Sequence, residues 1–184
     1  MNQPHSVRAF FAINFSLIDK KKIYNDIILP LSTQLIYQIN WVRLENLHIT
    51  LQFIPHLMRI DIDKIILQVQ HKLENYKNFN IIMNSLELFP QDNPKVLASS
   101  NIHPASKLNG LSKMIGEVIT NMGYEIEKRN FHPHLTLGRL QTKHCKLPNI
   151  KASRLDVWTN QIVLFESKHS CNGSNYFPLK KITF

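Results

Sequence analysis

Apolar and polar positions along this chain follow two rhythms, and these divide it into elements. Residues 7–15 (VRAFFAINF) are almost continuously aromatic or aliphatic and predict a central strand. Ser16 or Asp19 can cap the helix that follows. Its apolar positions Ile23, Ile27, Ile28, Leu31, Leu35 and Ile39 recur every three or four residues, which is one helical face. Pro30 lies inside that pattern and should kink or split the helix near Leu29. Trp41 and Val42 lead into an apolar strand over residues 47–54, which Pro55 is expected to end. Asp61 and Asp63 signal a helix reaching about Tyr76, buried through Ile65, Ile66, Val69 and Leu73. Residues 79–89 read as one strand that stops at Pro90, residues 91–94 as a turn, and residues 95–102 as the returning strand of a hairpin. Pro104 suits the first turn of a third helix, with Leu108, Leu111, Ile115, Val118 and Ile119 inward and Gly123 just past its end. Residues 131–140 are again strand-like, and residues 140–153 read as an exposed loop. Residues 154–158, 161–168 and 176–184 complete the strands, with a hairpin turn at 171–174.

Two of the strands carry nearly the same phrase: His48-Ile49-Thr50-Leu51 and His134-Leu135-Thr136-Leu137. Side chains alternate along a strand, so the His and Thr of each phrase point the same way, about 7 Å apart, and the aliphatic residues point into a core. Each phrase offers an imidazole and a hydroxyl from one surface, and two such phrases predict two histidines facing one cleft. The histidines are 134 − 48 = 86 residues apart, nearly half the chain, and a strand and a helix precede each phrase. The pattern predicts an α+β chain, and the repeat points to two lobes related by a pseudo-twofold. Residues 1–184 are expected to form one bilobal domain.

Composition fits this picture and narrows the partners. The chain has 184 residues, 43% of them hydrophobic and 19% charged, enough for a sizeable core. Twenty-two Lys and Arg against thirteen Asp and Glu leave a formal net charge of +9, which favours an anionic partner. Cys145 and Cys171 have no metal or redox spacing and read as free thiols in a reducing compartment. No apolar run approaches the roughly 20 residues of a membrane span, and the first eight residues lack the marks of a signal peptide. A cytoplasmic protein with no membrane partner is expected.

A histidine pair suits phosphoester chemistry. One neutral imidazole can take a proton from an attacking oxygen and one imidazolium can give a proton to a leaving oxygen, help worth ~10²–10⁴-fold. Histidine fits because its ordinary pKa, about 6.5, keeps both forms present near neutrality. Thr50 and Thr136 can donate to non-bridging phosphoryl oxygens, and Arg139 is the nearest cation in sequence. Arg139 stands five residues after His134, so a straight strand would turn it to the wrong face. Gly138 before it can host a bulge that redirects it, and an irregularity is expected there. The alternative for this stretch is a metal site built from His132, His134, His144 and Cys145. His5, His56, His71, His103 and His169 read as surface or capping residues, and Lys20-Lys21-Lys22 as a solvated helix face.

With both phrases placed, the chain resembles the two-histidine (His-x-Thr-x) phosphoesterase superfamily. Within it, the chain is most similar to the RNA 2′,3′-cyclic phosphodiesterases, also called 2′-5′ RNA ligases. Arg8-Ala9-Phe10-Phe11-Ala12, Trp41-Val42, Asn46-Leu47-His48-Ile49-Thr50-Leu51, Phe131-His132-Pro133-His134-Leu135-Thr136-Leu137-Gly138-Arg139, Leu164-Phe165-Glu166-Ser167 and Tyr176 carry the resemblance. It implies an α+β fold of two pseudo-symmetric lobes, each an antiparallel sheet with helices on the outside, around a central cleft. It also implies a hydrolase that opens RNA or oligonucleotide 2′,3′-cyclic phosphate ends to 2′-phosphates. His48 would be the proton donor to the 3′ oxygen and His134 the acceptor that activates water. Thr50, Thr136 and Arg139 would bind the phosphate. No metal and no cofactor is expected, the protein would be a monomer, and reversal to 2′-5′ ligation would be a side activity. Where relatives run on as Phe-Leu-Gly this chain has Phe53-Ile54-Pro55, and residues 95–98 lack an aromatic residue that relatives often carry. The alternatives are a module that binds RNA ends without turning them over, or a phosphodiesterase for another cyclic or 2′-5′-linked nucleotide.

Overall fold

The computed structural model describes residues 5–36, 38–127, 130–141, 154–170 and 173–184. It is a mixed α+β structure of mostly antiparallel sheets. The first sheet joins β1 (Ser6–Asn14), β3 (His48–Met58), β9 (Gln161–Ser170) and β10 (Gly173–Thr183) in the order β10-β9-β1-β3. The second joins β2 (Ile39–Trp41), β5 (Ser85–Phe89), β6 (Val96–Ser100) and β7 (Leu135–Leu140) in the order β2-β7-β6-β5. A two-stranded ribbon pairs β4 (Phe79–Met83) with β8 (Leu155–Thr159). As expected, β1 is central, flanked by β3 and β9.

Ser16 caps α1 (Leu17–Ile23), its Oγ accepting from the Asp19 amide at 3.1 Å. Helical backbone then continues through a π-turn, Tyr24–Ile28, into α2 (Leu29–Ser32). The wider π-turn is how the chain absorbs Pro30, whose ring would otherwise meet the carbonyl four residues back. The helix stops there: Leu35 is buried outside it and Ile39 opens β2, so the 3.6-residue rhythm that included them was a coincidence of spacing. Two further helices, α3 (Ile62–Leu73) and α4 (Ala105–Asn121), bury the predicted stripes, and Gly123 follows α4 with φ +86°. Among the described residues no helix is long and apolar enough to cross a membrane.

Three boundaries differ from the sequence reading. Pro55 does not end its strand; β3 runs on to Met58. β3 is the edge of its sheet, and its register against β1 shifts between Ala9↔Ile54 and Val7↔Leu57, so Pro55 falls at an irregularity where no ladder donor is needed. Residues 79–89 are two strands in different sheets, broken at Asn84, whose Oδ1 accepts from Asn101 Nδ2 at 2.9 Å. The second phrase enters its strand only at Leu135, with His134 just before it. The loop predicted at 140–153 lies almost wholly outside the described residues, as do Cys171 and Asn172 of the last turn.

The two halves repeat at the level of single residues. Ala12 pairs with Thr50 and Phe11 with Gln52, so Leu51 is an extra residue in β3, a bulge. Ala98 pairs with Thr136 and Leu97 with Gly138, so Leu137 is the extra residue in β7. Thr136, Leu137 and Gly138 each stand 86 residues after Thr50, Leu51 and Gln52. Ile49, Leu51, Leu135 and Leu137 are buried in one core with Phe11, Ile13 and Leu97.

Candidate active site

The bulges decide which side chains share a face. Residues opposite one another on paired strands point the same way. Thr136 lies opposite Ala98 and Arg139 opposite Val96, two residues apart on β6, so both project to one face although they stand three positions apart on β7. The irregularity expected at Gly138 is therefore present, with Leu137 the inserted residue, and it turns Arg139 to the side of Thr136. In the first lobe the same arithmetic places Phe53, opposite Phe10, beyond Thr50, opposite Ala12. The peptide distortion at Leu51 is held from behind: Ser112 Oγ on α4 donates to the Leu51 carbonyl at 2.8 Å, and Gln52 Nε2 donates to the Ser112 carbonyl at 3.0 Å.

His48 is fixed at both nitrogens. Its Nδ1 lies 2.6 Å from the Asn46 carbonyl, which can only accept, so Nδ1 carries a proton. Its Nε2 lies 3.0 Å from Thr50 Oγ1. The ring packs on Phe10 with centroids 4.9 Å apart, takes the edge of Tyr176 at 5.2 Å, and has Phe165 at 6.4 Å. This enclosure pushes its pKa down to about 4, with burial as the main cause; the positive charges of Lys20 and His134 push the same way, and the Asn46 carbonyl opposes them.

The charge of His134 thus reaches His48, although 86 positions separate them in sequence. His134 repeats the first anchor: Nδ1 lies 2.8 Å from the His132 carbonyl, two residues back. Its ring stacks on Phe89 at 4.8 Å and 27°, and His132 stacks on the same phenyl at 5.3 Å. Burial lowers the His134 pKa as well; the His132 carbonyl and Glu87 oppose that shift and the His132 charge adds to it. Glu87 belongs to the same face, in register with Ala98 and Thr136, and its Oε1 is 3.8 Å from His132 Nε2.

A cavity of about 220 Å³ opens between the lobes, and Thr50, Phe53, Phe89, His132 and His134 are among the residues that line it. His48 is not among them, but its Nε2 is bonded to Thr50. Thr136 is half-buried and Arg139 exposed on the same side of the second sheet. Of the five residues singled out in the sequence, Thr50 and His134 line the cavity, while Thr136 and Arg139 share a face of the second sheet outside its lining. His5, His56, His71, His103 and His169 are exposed, as expected. Among the described residues no His, Cys, Asp and Glu cluster could hold a metal, and His144 and Cys145 lie outside them.

Two features escaped the sequence. Lys20 is not on a solvated face but buried, donating from Nζ to the Glu45 carbonyl at 2.6 Å in the turn that leads to His48. Its place in a triple-lysine run concealed it. Phe89, at the end of a strand read as one long element, gave no sign that it would brace two histidines.

Two lobes that each present a bulged His-x-Thr strand to a shared cleft define a paired-histidine α+β protein. The chain belongs to the 2′-5′ RNA ligase superfamily, whose family model matches residues 37–158, a stretch that contains both phrases. A curated relative from Aeropyrum pernix, named RNA 2′,3′-cyclic phosphodiesterase, is 31% identical over 100 residues, covering 53% of this chain and 54% of that protein. The chain thus spans about half the length of that relative in the match. Among solved structures, TT0787 of Thermus thermophilus superposes with a TM-score of 0.79 at 18% identity, over 96% of this chain and 97% of that one. E. coli LigT complexed with 3′-AMP gives 0.74 at 19% identity, over 97% and 98%. At these identities the two structures establish the shared fold.

Proposed function

We propose that this protein, residues 1–184 acting as one bilobal unit, hydrolyses 2′,3′-cyclic phosphate ends of RNA or oligonucleotides to 2′-phosphates. The observation that supports this most is the matched anchoring of the two imidazoles. Each carries its Nδ1 proton against the carbonyl two residues back, which leaves Nε2 as the working nitrogen; His134 lines the cavity, and His48 Nε2 reaches Thr50, which lines it too. His134 Nε2 takes a proton from water as its oxygen bonds to phosphorus. The bond from phosphorus to the 3′ oxygen breaks, and His48 Nε2 gives that oxygen its proton. Thr50, Thr136 and Arg139 hold the non-bridging oxygens, where negative charge gathers. In the free protein His48 holds its proton weakly. The anionic phosphoryl group restores that proton on binding, because a neighbouring negative charge favours the imidazolium.

The name of the Aeropyrum relative supports RNA ends as substrate, and the 3′-AMP bound to LigT supports a nucleotide in the cleft. Acid, base and anion donors all come from side chains, so the hydrolysis needs no cofactor. The protein works as a monomer in a cytoplasmic setting, with slow reversal to a 2′-5′ linkage as a side activity. The test is turnover of a 2′,3′-cyclic nucleotide with EDTA present, with the product identified by phosphorus NMR. A 2′-phosphate is expected, with a bell-shaped pH profile whose two apparent pKa values belong to the pair. His48→Ala and His134→Ala should each abolish turnover while the fold survives. Loss of activity on chelation, or tight binding with no product, would overturn the reading.

A further inference from the structure

Arg8 alternates with Phe10, Ala12 and Asn14 along β1 and so projects to the cleft face of the first sheet. Its guanidinium carbon lies 4.6 Å from the centroid of Phe53, a ring that lines the cavity beside Thr50 and His134. Two other arginines face carboxylates: Arg59 meets Glu166 at 3.1 Å and Arg154 meets Asp156 at 3.1 Å. Arg8 is exposed, and among the described residues no carboxylate is paired with it. A guanidinium laid on a ring face is pre-oriented, and its in-plane N–H donors remain available for two-point contact with a phosphate.

The repeat between the lobes shows where this cation stands. Phe53, 86 residues before Arg139, occupies the position in the first lobe that Arg139 occupies in the second. The first lobe therefore has a ring where its partner has a charge, and carries its own charge over that ring from the neighbouring strand. Successive rows on a strand face are about 7 Å apart. The Phe53 row lies one step beyond the Thr50 row, a separation that one nucleotide can bridge.

We propose that Arg8 forms a second anion site, which takes the phosphodiester immediately 5′ of the terminal phosphate of an RNA end. The inference rests on the reading of the cleft as a site for such ends and adds what selects among them. A mononucleotide has no phosphodiester at that place, so Arg8 separates oligonucleotide ends from free cyclic nucleotides.

The test uses the full chain and two substrates, a mononucleotide and a dinucleotide, each ending in a 2′,3′-cyclic phosphate. Arg8→Met keeps an apolar side chain on Phe53 and removes the charge. The dinucleotide should lose on the order of tenfold more kcat/KM than the mononucleotide. The salt dependence of the dinucleotide reaction should weaken, since one ionic contact to phosphate is lost. Arg8→Lys should keep the wild-type salt dependence and regain part of the discrimination. Equal losses on both substrates, or an unchanged ratio, would overturn the proposal. Calorimetric binding of the matching 2′-phosphate mono- and dinucleotides gives the same ratio without turnover. If the wild-type protein is inert on both cyclic substrates, the hydrolase reading falls, and the binding ratio still decides the role of Arg8.

Discussion

Gly138 lies so close to Ile39 that a Cβ on it would stand 2.3 Å from Ile39 Cγ2. The Asn40 carbonyl oxygen, at 3.2 Å, closes another side. Gly138 pairs with Trp41 of β2 and Leu97 of β6, directly after the bulge and directly before Arg139. Gly138→Ala should force β2 and β7 apart at a cost of about 1–3 kcal/mol, the usual size of overpacking. It should also turn Arg139 from the side of Thr136 and lower kcat/KM by on the order of tenfold or more. Urea denaturation and steady-state kinetics measure the two effects. Adding Ile39→Ala opens the blocked space, so the double variant should recover activity relative to Gly138→Ala. Strictly additive losses would mean that the contact with Ile39 is not the cause.

Protonation of His48 ties stability to pH. In the unfolded chain its pKa is near 6.5; in the folded protein burial holds it at about 4. Between these values the unfolded chain binds more protons, so acid favours unfolding. The contribution is whole above about pH 6.5 and is lost as pH falls to about 4, amounting to on the order of 1–3 kcal/mol. His134, lowered in the same direction, adds to it. Denaturation midpoints at several pH values should fall across this window, and His48→Gln should flatten the fall. Inorganic phosphate should protect the wild-type protein increasingly as pH drops, since a bound anion favours the imidazolium forms. Protection that does not change with pH would argue against an anion seated between the histidines.

Lys20 supplies a third test. Its ammonium group is buried and bonded to the Glu45 carbonyl, one residue before the carbonyl that fixes His48. Its charge also lowers the His48 pKa. Lys20→Met should leave the Glu45 carbonyl unpaired, costing about 1–3 kcal/mol of stability. It should also shift the His48 titration, followed by NMR of the ring, to higher pH. A destabilised variant with an unmoved titration would restrict Lys20 to holding the turn.

Much of this architecture was legible because local physics agreed with the fold. The His-x-Thr-x phrases read as strands with a working face and a core face, and the burial of Ile49, Leu51, Leu135 and Leu137 follows that reading. Arg139 was legible only through a conflict: five residues of straight strand would misdirect it, so Gly138 required a bulge. Pro55 misled because a proline ends an interior strand but not an edge strand at an irregularity, and edge position is a tertiary fact. Lys20 misled for a related reason. A lysine in a run of three reads as solvated, and nothing local reveals that a distant carbonyl waits for its ammonium group. Residues 7–15 and 47–54 read as strands, but the pairing of Ala12 with Thr50 exists only once the sheet forms.

The two imidazoles are braced unequally, and this separates stability from rate. His48 has hydrogen bonds at both nitrogens and contacts Phe10, Tyr176 and Phe165, whereas the His134 ring is anchored at Nδ1 and stacks on Phe89. Phe10 is buried at 4% exposure and Phe89 is only half-buried. Phe10→Leu should therefore cost more stability, about 1–2 kcal/mol, but little rate, since Asn46 and Thr50 still hold the His48 ring. Phe89→Leu should cost little stability but lower kcat by roughly three- to tenfold, because the His134 ring loses its flat support and samples unproductive rotamers. KM should change less than kcat, since Thr50, Thr136 and Arg139, the proposed phosphate donors, are untouched. Thermal melts and kinetics on both variants read this out. The reverse pattern, a slow Phe10→Leu enzyme and an unaffected Phe89→Leu enzyme, would show that stacking on Phe89 does not position His134 for proton transfer.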